Sequence, residues 1–232
     1  MYPMMGFFDP TYILVIIGIA IAGIAQMNVT NTFSKYDKVG SKNNITAADA
    51  AEKIMTNAGI NDIRVEHIAG HLTDNYNPGN KTLNLSDASF QSTSVAAIGV
   101  AAHEAGHAIQ DNKGYLPMRL RSAFVPLVNF GSTASFPLIL LGMFLGMNRT
   151  LIQIGVYAFA LVVIFQIITL PVEFNASMRA VRILSDSGML RQEEIPAVKK
   201  VLTAAALTYV AAVLSTALQF LRLLILFGNR RD

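Results

Sequence analysis

The stretch AAHEAGHAIQD, Ala101–Asp111, carries two of the four histidines in this chain of 232 residues. His103 and His107 are four residues apart, and residues with this spacing lie on the same face of an α-helix, one above the other. Both imidazoles can therefore be directed at a single point. Glu104 follows His103 directly and is rotated from it by about 100° around the helix axis, so it is not expected to reach the same point.

This spacing is the H-E-x-x-H arrangement of zinc sites. Two neutral imidazoles and one further ligand leave zinc a position that is open to water. Glu104 is then close enough to act as a general base towards that water. A random chain of this composition would contain the pattern about 0.002 times. The alternative is a histidine pair without a metal, but the pattern favours one zinc ion per chain.

The third ligand must lie elsewhere, because no histidine follows His107. We expect it to be Glu173, which follows Pro171 at the end of an apolar segment, where a charge without a partner is unfavourable. The alternative for Glu173 is an ion pair with Arg179 or Arg182. The other nearby carboxylates are expected to be solvated or to support a histidine from outside the ligand set: Asp111, Glu193 and Glu194.

The composition is typical of a membrane protein. Hydrophobic residues make up 53% of the chain and charged residues only 14%, whereas a soluble domain has about 25% charged residues. Crossing a bilayer takes about 20 apolar residues. Four stretches have about this length or more, at residues 11–29, 124–147, 151–170 and 201–227. One such stretch could be a buried core helix, but four in so short a chain predict membrane spans. The first lacks a preceding Lys or Arg, which favours an uncleaved anchor over a signal peptide.

Basic residues near the ends of these stretches predict the orientation. One side has Lys35, Lys38, Lys42, Arg119, Arg121, Arg179, Arg182, Arg191, Lys199 and Lys200. The other side has Arg149, Arg230 and Arg231. We therefore expect the polar regions to be cytoplasmic and both termini to lie outside. These flanking cations also explain the net charge of +3, so no nucleic-acid partner is expected. The absence of cysteine excludes disulfides and cysteine-ligated metals.

The one sizeable polar region, residues 30–123, has a mixed pattern. A helix is expected to begin after Thr46 as N-cap and to end at Gly59. The remaining expected elements are a strand at 62–70, a turn cluster at 72–80, a strand at 81–87 and a helix from Ser92 to about Asn112. The two strands are expected to pair as a hairpin or small sheet. His67 and His71 are also four apart, but their segment alternates and contains Gly70, so they do not form a helical pair.

Three segments resemble the YugP-like neutral zinc metallopeptidases of bacterial membranes: SVAAIGVAAHEAGHAIQD, LTDNYNP with KTLNLS, and LPVEFNASMRA. The resemblance extends over nearly the whole chain. It implies a membrane-embedded zinc protease with His103, His107 and Glu173 as ligands and Glu104 as catalytic base. The chain is also distantly similar to membrane proteases that trim prenylated C-termini, in which a Glu-x-x-Ala-Asp motif supplies the third ligand. Ser177 occupies the aspartate position here, so we expect Ser177 or Asn175 to orient a histidine.

The sequence thus predicts a mainly α membrane protein with about four transmembrane helices and a small α+β, zincin-like catalytic region. We expect an N-terminal anchor at 1–32, the catalytic region at 33–122, and transmembrane helices 2–4 at 123–232, with the third-ligand segment at 171–182. Further candidates for orienting a ligand or for stabilising an oxyanion are Arg179, His71 and Tyr76.

The predicted function is that of an integral-membrane, zinc-dependent endopeptidase in the bacterial cytoplasmic (inner) membrane, with its active site on the cytoplasmic side. Its partners would be membrane lipid and a protein or peptide substrate, whose backbone would add to a sheet edge at Lys81–Ser86. The sequence leaves open whether the protein forms an oligomer or binds another membrane protein. The alternative is a non-catalytic, zinc-binding membrane scaffold or chaperone-like protein, which would have no use for Glu104. A zinc transporter is disfavoured, because the apolar stretches contain almost no ionisable groups.

Overall fold

The computed structural model describes residues 9–228 and is mostly helical. Its elements are α1 (Tyr12–Asp37), α2 (Ala47–Asn57), β1 (Arg64–Ile68), β2 (Asn75–Asn77), β3 (Thr82–Ser86), α3 (Val95–Asn112), α4 (Leu116–Phe144), α5 (Arg149–Asp186) and α6 (Ile195–Phe227). Arg230 and Arg231, which entered the orientation argument, lie outside the described residues, as does most of the segment before α1.

Four of these helices, α1, α4, α5 and α6, are long and apolar enough to cross a membrane. Each overlaps one of the apolar stretches, and α5 and α6 contain theirs completely. Many large apolar side chains on them are exposed, for example Ile19 at 66%, Phe130 at 68% and Phe144 at 85%. Such surfaces are unfavourable in water and favourable against lipid. The prediction of four membrane-spanning helices therefore agrees with the helices found.

α5 is longer than the sequence indicated. It continues through Pro171 to Asp186, although the third apolar stretch ends at residue 170. Proline lacks the N–H that a helix interior needs, but helices tolerate it where neighbouring groups compensate. Glu173 therefore lies inside a continuous helix. Val172, Ala176, Ala180 and Leu184 form a completely buried stripe on that helix.

The chain forms two compact units. The first comprises the residues up to Gln26, Leu120–Thr169 and the residues from Thr208 onward, and the second comprises Met27–Arg119 and Leu170–Leu207. In the first unit, Ile139, Ile152, Val156, Phe159 and Leu223 form a small apolar core. The second unit has the larger core and contains every candidate site residue.

The core of the second unit is formed by α2, α3, the sheet and the buried stripe of α5. α2 begins as expected: the Thr46 hydroxyl accepts a hydrogen bond from the Asp49 N–H at 3.1 Å. The chain leaves this helix at Gly59, whose φ of +74° suits glycine. α3 begins in the same way, because the Ser94 hydroxyl accepts from the Ala97 N–H at 3.1 Å.

The sheet differs from a hairpin. Its order is β1-β3-β2, with β1 parallel to β3 and β2 antiparallel to β3. β2 comes from the segment NYN inside the expected turn cluster, where Pro78-Gly79 obscured a strand of three residues. β3 is therefore the central strand, and Leu83 and Leu85 on it are completely buried. The expectation that a substrate adds to Lys81–Ser86 is wrong, because both edges of β3 are already paired.

Candidate metal centre

α3 brings the two histidines to α5. Small residues make the close approach possible: a Cβ added to Gly106 would lie 2.9 Å from the carbonyl oxygen of Ala176. That contact is with backbone, so nothing larger than glycine fits here without displacing one helix. The small residues around the histidines thus serve the packing of α3 against α5.

His103, His107 and Glu173 converge at this contact. His103 Nε2 lies 3.1 Å from His107 Nε2 and 3.2 Å from Glu173 Oε2, and His107 Nε2 lies 3.4 Å from the same carboxylate oxygen. Glu173 is only 1% exposed, and His107 is also buried. A buried carboxylate needs a positive partner, and the two rings at this centre can supply one only by binding a proton or sharing a metal ion.

The three separations fit a zinc ion. Ligand atoms at about 2.0–2.1 Å from a tetrahedral zinc ion lie about 3.3–3.4 Å from one another. The observed values of 3.1, 3.2 and 3.4 Å are close to this. Two imidazoles and a carboxylate are also a donor set that zinc prefers. Among the described residues, this is the one group of three such side chains close enough to hold a metal.

Gln110 fixes the tautomer of His107. Its side-chain amide donates from Nε2 to the Val172 carbonyl at 2.8 Å and to Asn175 Oδ1 at 3.0 Å. The amide oxygen therefore faces His107 Nδ1, at 2.9 Å. Nδ1 must donate to it, so a neutral His107 directs the lone pair of Nε2 at the centre. Gln110 is completely buried.

His103 has a different partner. Its Nδ1 lies 3.1 Å from the hydroxyl of Ser177, one turn after Glu173 on α5. A hydroxyl can accept the Nδ1 proton, which leaves Nε2 of His103 free for a metal. Asn175 supports His107 indirectly, through Gln110. Its Oδ1 accepts hydrogen bonds from Gln110 Nε2 and from Arg179 Nε, the latter at 2.7 Å. Arg179 thus supports Asn175.

The environment of His107 favours a cation. Burial lowers the pKa of this imidazole, but the hydrogen bond that the ring donates to Glu173 and the charges of Glu104 and Glu173 outweigh burial and raise it. The negative groups around the ring therefore stabilise a positive charge at the centre. A proton or a metal ion can meet that requirement.

Glu104 lies beside this centre and is held by the sheet. Its Oε2 accepts a hydrogen bond from the backbone N–H of Tyr76 on β2 at 2.9 Å. Within residues 9–228, no hydrogen bond engages Oε1. The side chain is buried, with 8% of the residue exposed. One carboxylate oxygen is therefore fixed, and the other is available to a reacting group.

The hydroxyl of Tyr76 is engaged elsewhere. It donates to Asp111 Oδ2 at 2.8 Å, and Lys81 Nζ contacts the same oxygen at 3.0 Å. Burial, together with this hydrogen bond to Asp111, raises the pKa of Tyr76 well above its ordinary value. Asp111 thus secures β2 to α3. The contribution of Tyr76 at Glu104 comes from its backbone.

The other two histidines have contacts of their own. His67 Nε2 lies 2.7 Å from Asp87 Oδ1, and both side chains are about half exposed. The ring of His71 packs edge-on against Phe33, with 5.6 Å between ring centroids. His71 is a candidate for stabilising an oxyanion, but the described contact of its ring is with the buried Phe33.

Glu193 and Glu194 are both expected to be solvated, but only Glu193 is. Glu194 is buried, and its two oxygens accept from the backbone N–H groups of Lys42 at 2.8 Å and Arg191 at 2.7 Å. Its expected solvation is therefore wrong, since it stabilises the start of α6 and the loop at Lys42. Glu193 is exposed.

Sequence reasoning missed Gln110 altogether. The only signal was its spacing, three residues after His107, which places both on adjacent turns of one helix face. Its role depends on Val172 and Asn175 on α5, which no pattern within α3 reveals.

The fold and this centre define a membrane protein with a three-ligand candidate metal site. In agreement, residues 11–228 match the model of a family described as "Putative neutral zinc metallopeptidase". The chain belongs to this family, as its motifs indicated. It is 43% identical over 219 residues to a protein of Bacillus subtilis (strain 168) named "Putative membrane protease YugP", covering 94% of this chain and 97% of that protein. No solved structure matches the chain.

Proposed function

We propose that this protein is an integral-membrane zinc endopeptidase with a zincin-like H-E-x-x-H site. The observation that carries the proposal is the convergence of His103, His107 and the buried Glu173, with Glu104 beside them. These three residues would hold one zinc ion. Bound zinc would supply Lewis acidity towards the scissile carbonyl and towards water. A scaffold that only binds zinc would need the three ligands but would have no use for Glu104.

Glu104 is the proposed general base. Oε1 takes a proton from water, and the water oxygen attacks the scissile carbonyl carbon. When the C–N bond breaks, Glu104 returns this proton to the leaving amine. The N–H of Tyr76 on Oε2 keeps the carboxylate in one orientation throughout, which favours proton transfer at Oε1. Gln110 and Ser177 orient the two imidazoles.

The outer edge of β2 is the proposed site for the substrate backbone. β2 is an edge strand, and the N–H of Tyr76 points away from β3 towards Glu104. In an antiparallel pair, the N–H and C=O of one residue point to the same side. The Tyr76 carbonyl is therefore directed to the same edge and can accept a hydrogen bond from an extended peptide. This replaces β3 as the docking strand.

The proposed orientation has the second unit on the cytoplasmic side of a bacterial inner membrane. It rests on the excess of Lys and Arg near the span ends on that side. The proposed substrates are therefore proteins or peptides reached from the cytoplasm, at or near the membrane surface.

Zinc content and peptide cleavage, measured on the same purified samples, test this function. The protein in detergent should contain about one zinc per chain and cleave a casein-type or peptide-library substrate. Glu173→Gln and His103→Ala should lose most of the zinc and the cleavage. Glu193→Gln, which removes an exposed carboxylate, should keep both. The ligand assignment fails if Glu173→Gln retains full zinc, and the enzyme assignment fails if zinc-loaded wild type cleaves nothing.

A further inference from the structure

A second pocket lies between the end of α1 and the start of α6 and is separate from the metal centre. Its volume is about 400 Å³, and all its lining residues belong to the second unit. Three of them are lysines: Lys35 from α1, and Lys199 and Lys200 from α6. The remaining lining residues are Asn28, Thr32, Tyr36, Thr203, Ala204 and Leu207.

No described residue supplies a counter-ion to these three lysines. Among the described residues that line the pocket there is no Asp or Glu, and no ion pair to any of these lysines is present in residues 9–228. All three are exposed. Lys35 lies 5.5 Å from the ring centroid of Tyr36, a contact that does not neutralise its charge. Cations gathered from distant parts of the chain repel one another, and an anion in the pocket would relieve that repulsion.

A second cationic cavity, of about 500 Å³, differs from the lysine pocket because the protein itself engages most of its cations. It is lined by Lys113, Arg179 and Arg182 among others. Arg179 already donates to Asn175, and Arg182 lies 3.5 Å from Asp186. Two of its three cations are thus engaged by the protein itself, whereas the lysine pocket has all three charges available.

The pocket also lies where a lipid headgroup would be expected, at the ends of two apolar helices. α1 and α6 are both candidate membrane spans, with Lys35 in the last turn of α1 and Lys199 and Lys200 in the second turn of α6. The lysines therefore lie where both apolar helices reach the polar zone. Hydroxyl groups of Thr32 and Thr203 add donors for phosphate oxygens. Ala204 and Leu207 add apolar surface of the kind that acyl chains contact.

We propose that this pocket binds the phosphate headgroup of an anionic phospholipid. Basic pockets between helices at the cytoplasmic side of a membrane are suited to such headgroups, and lysine binds phosphate as a point charge. The site rests on the proposed orientation of the second unit, but it is independent of the metal centre and of the proposed protease activity. It would secure the start of α6 to the end of α1 through one lipid molecule.

The test uses native mass spectrometry on the delipidated full-length protein in detergent. Three probes are titrated separately: dioctanoyl phosphatidylglycerol, dioctanoyl phosphatidylcholine and inorganic phosphate. Wild type should retain one phosphatidylglycerol in preference to phosphatidylcholine. The variant Lys35→Gln/Lys199→Gln/Lys200→Gln should bind it at least about tenfold more weakly. Replacing the same three lysines by Arg should preserve binding.

A matched control removes the same charge elsewhere on the second unit. Lys38→Gln/Lys42→Gln/Lys53→Gln changes three lysines that do not line the pocket, and it should bind phosphatidylglycerol like wild type. The proposal is overturned if both triple variants bind equally, or if phosphatidylcholine binds as well as phosphatidylglycerol. Equal binding of inorganic phosphate would also overturn it, because the pocket would then be a site for free anions.

Discussion

The backbone N–H of Tyr76 donates a hydrogen bond to Glu104 Oε2 over 2.9 Å, although the two residues are 28 positions apart. This bond joins the edge strand of the sheet to the helix that carries the histidines. It fixes one oxygen of the proposed general base and leaves the other available. The relationship depends on the backbone of residue 76, which makes it testable separately from the tyrosine side chain.

The first prediction compares Tyr76→Pro with Tyr76→Ala. Both lose the phenol and its hydrogen bond to Asp111, but only proline also removes the N–H. Proline is tolerated on an edge strand where the N–H points away from the ladder. Because hydrogen bonds to charged groups contribute about 1.5–3 kcal/mol, we expect kcat of the proline variant to be at least about tenfold below that of the alanine variant. Zinc content should be equal, and equal kcat values would show that the N–H does not position Glu104.

The second prediction concerns Gln110. Gln110→Leu keeps the approximate volume and removes the acceptor for His107 Nδ1, so His107 loses the group that selects its tautomer. Losing such a supporting contact typically weakens metal binding about 10–100-fold. Competition with a zinc chelator of known affinity measures the change. Gln91→Leu, at an exposed position, should keep the wild-type affinity. An unchanged zinc affinity in Gln110→Leu would show that Gln110 does not support metal binding by His107.

A feature could be predicted from the sequence when the residues that form it lie close together in the chain. The histidine pair follows from the period of one helix, and the four apolar helices follow from composition over about 20 residues. Both are local properties, so they could be read directly. Glu173 could be singled out because a carboxylate beside an apolar stretch is conspicuous.

The remaining features depend on contacts between distant segments. β2 has three residues and lies next to Pro78-Gly79, so its pattern is too short to be recognised. The parallel pairing of β1 with β3 depends on the path of the chain between the two strands. The alternation of apolar residues within each strand does not determine that path. Glu194 looked solvated because its partners are backbone N–H groups, one of them at Lys42, which no side-chain pattern predicts.

The third prediction concerns the approach of α3 to α5. In Gly106→Ala the new Cβ meets the carbonyl oxygen of Ala176 at 2.9 Å, so one helix must move. Alanine favours a helix by about 1 kcal/mol over glycine, but overpacking costs about 1–3 kcal/mol. We therefore expect a lower melting temperature and weaker zinc binding. In Gly99→Ala the Cβ meets the Val198 side chain at 3.1 Å, which can adjust, so the loss should be smaller. The reverse order of the two variants would contradict this packing.

The fourth prediction concerns membrane orientation. The native chain has no cysteine, so single cysteines report accessibility without background. Ser41 is buried and would be a poor probe, whereas Asn57 and Thr150 are exposed. In intact cells a membrane-impermeant thiol reagent should label Thr150→Cys and leave Asn57→Cys unlabelled until the cells are broken. Labelling of Asn57→Cys in intact cells would place the second unit outside.

The central claim, that this centre hydrolyses peptide bonds with Glu104 as base, is tested most directly by Glu104→Gln. The amide keeps the size of the side chain, and its oxygen can still accept from the Tyr76 N–H, but it cannot take a proton from water. Zinc content and peptide cleavage are measured on the same samples of wild type and variant. We predict equal zinc and a fall in kcat of at least about 10²–10⁴-fold. Equal zinc with unchanged cleavage would contradict the assignment of Glu104, and no cleavage by zinc-loaded wild type would leave a zinc-binding membrane protein without this activity.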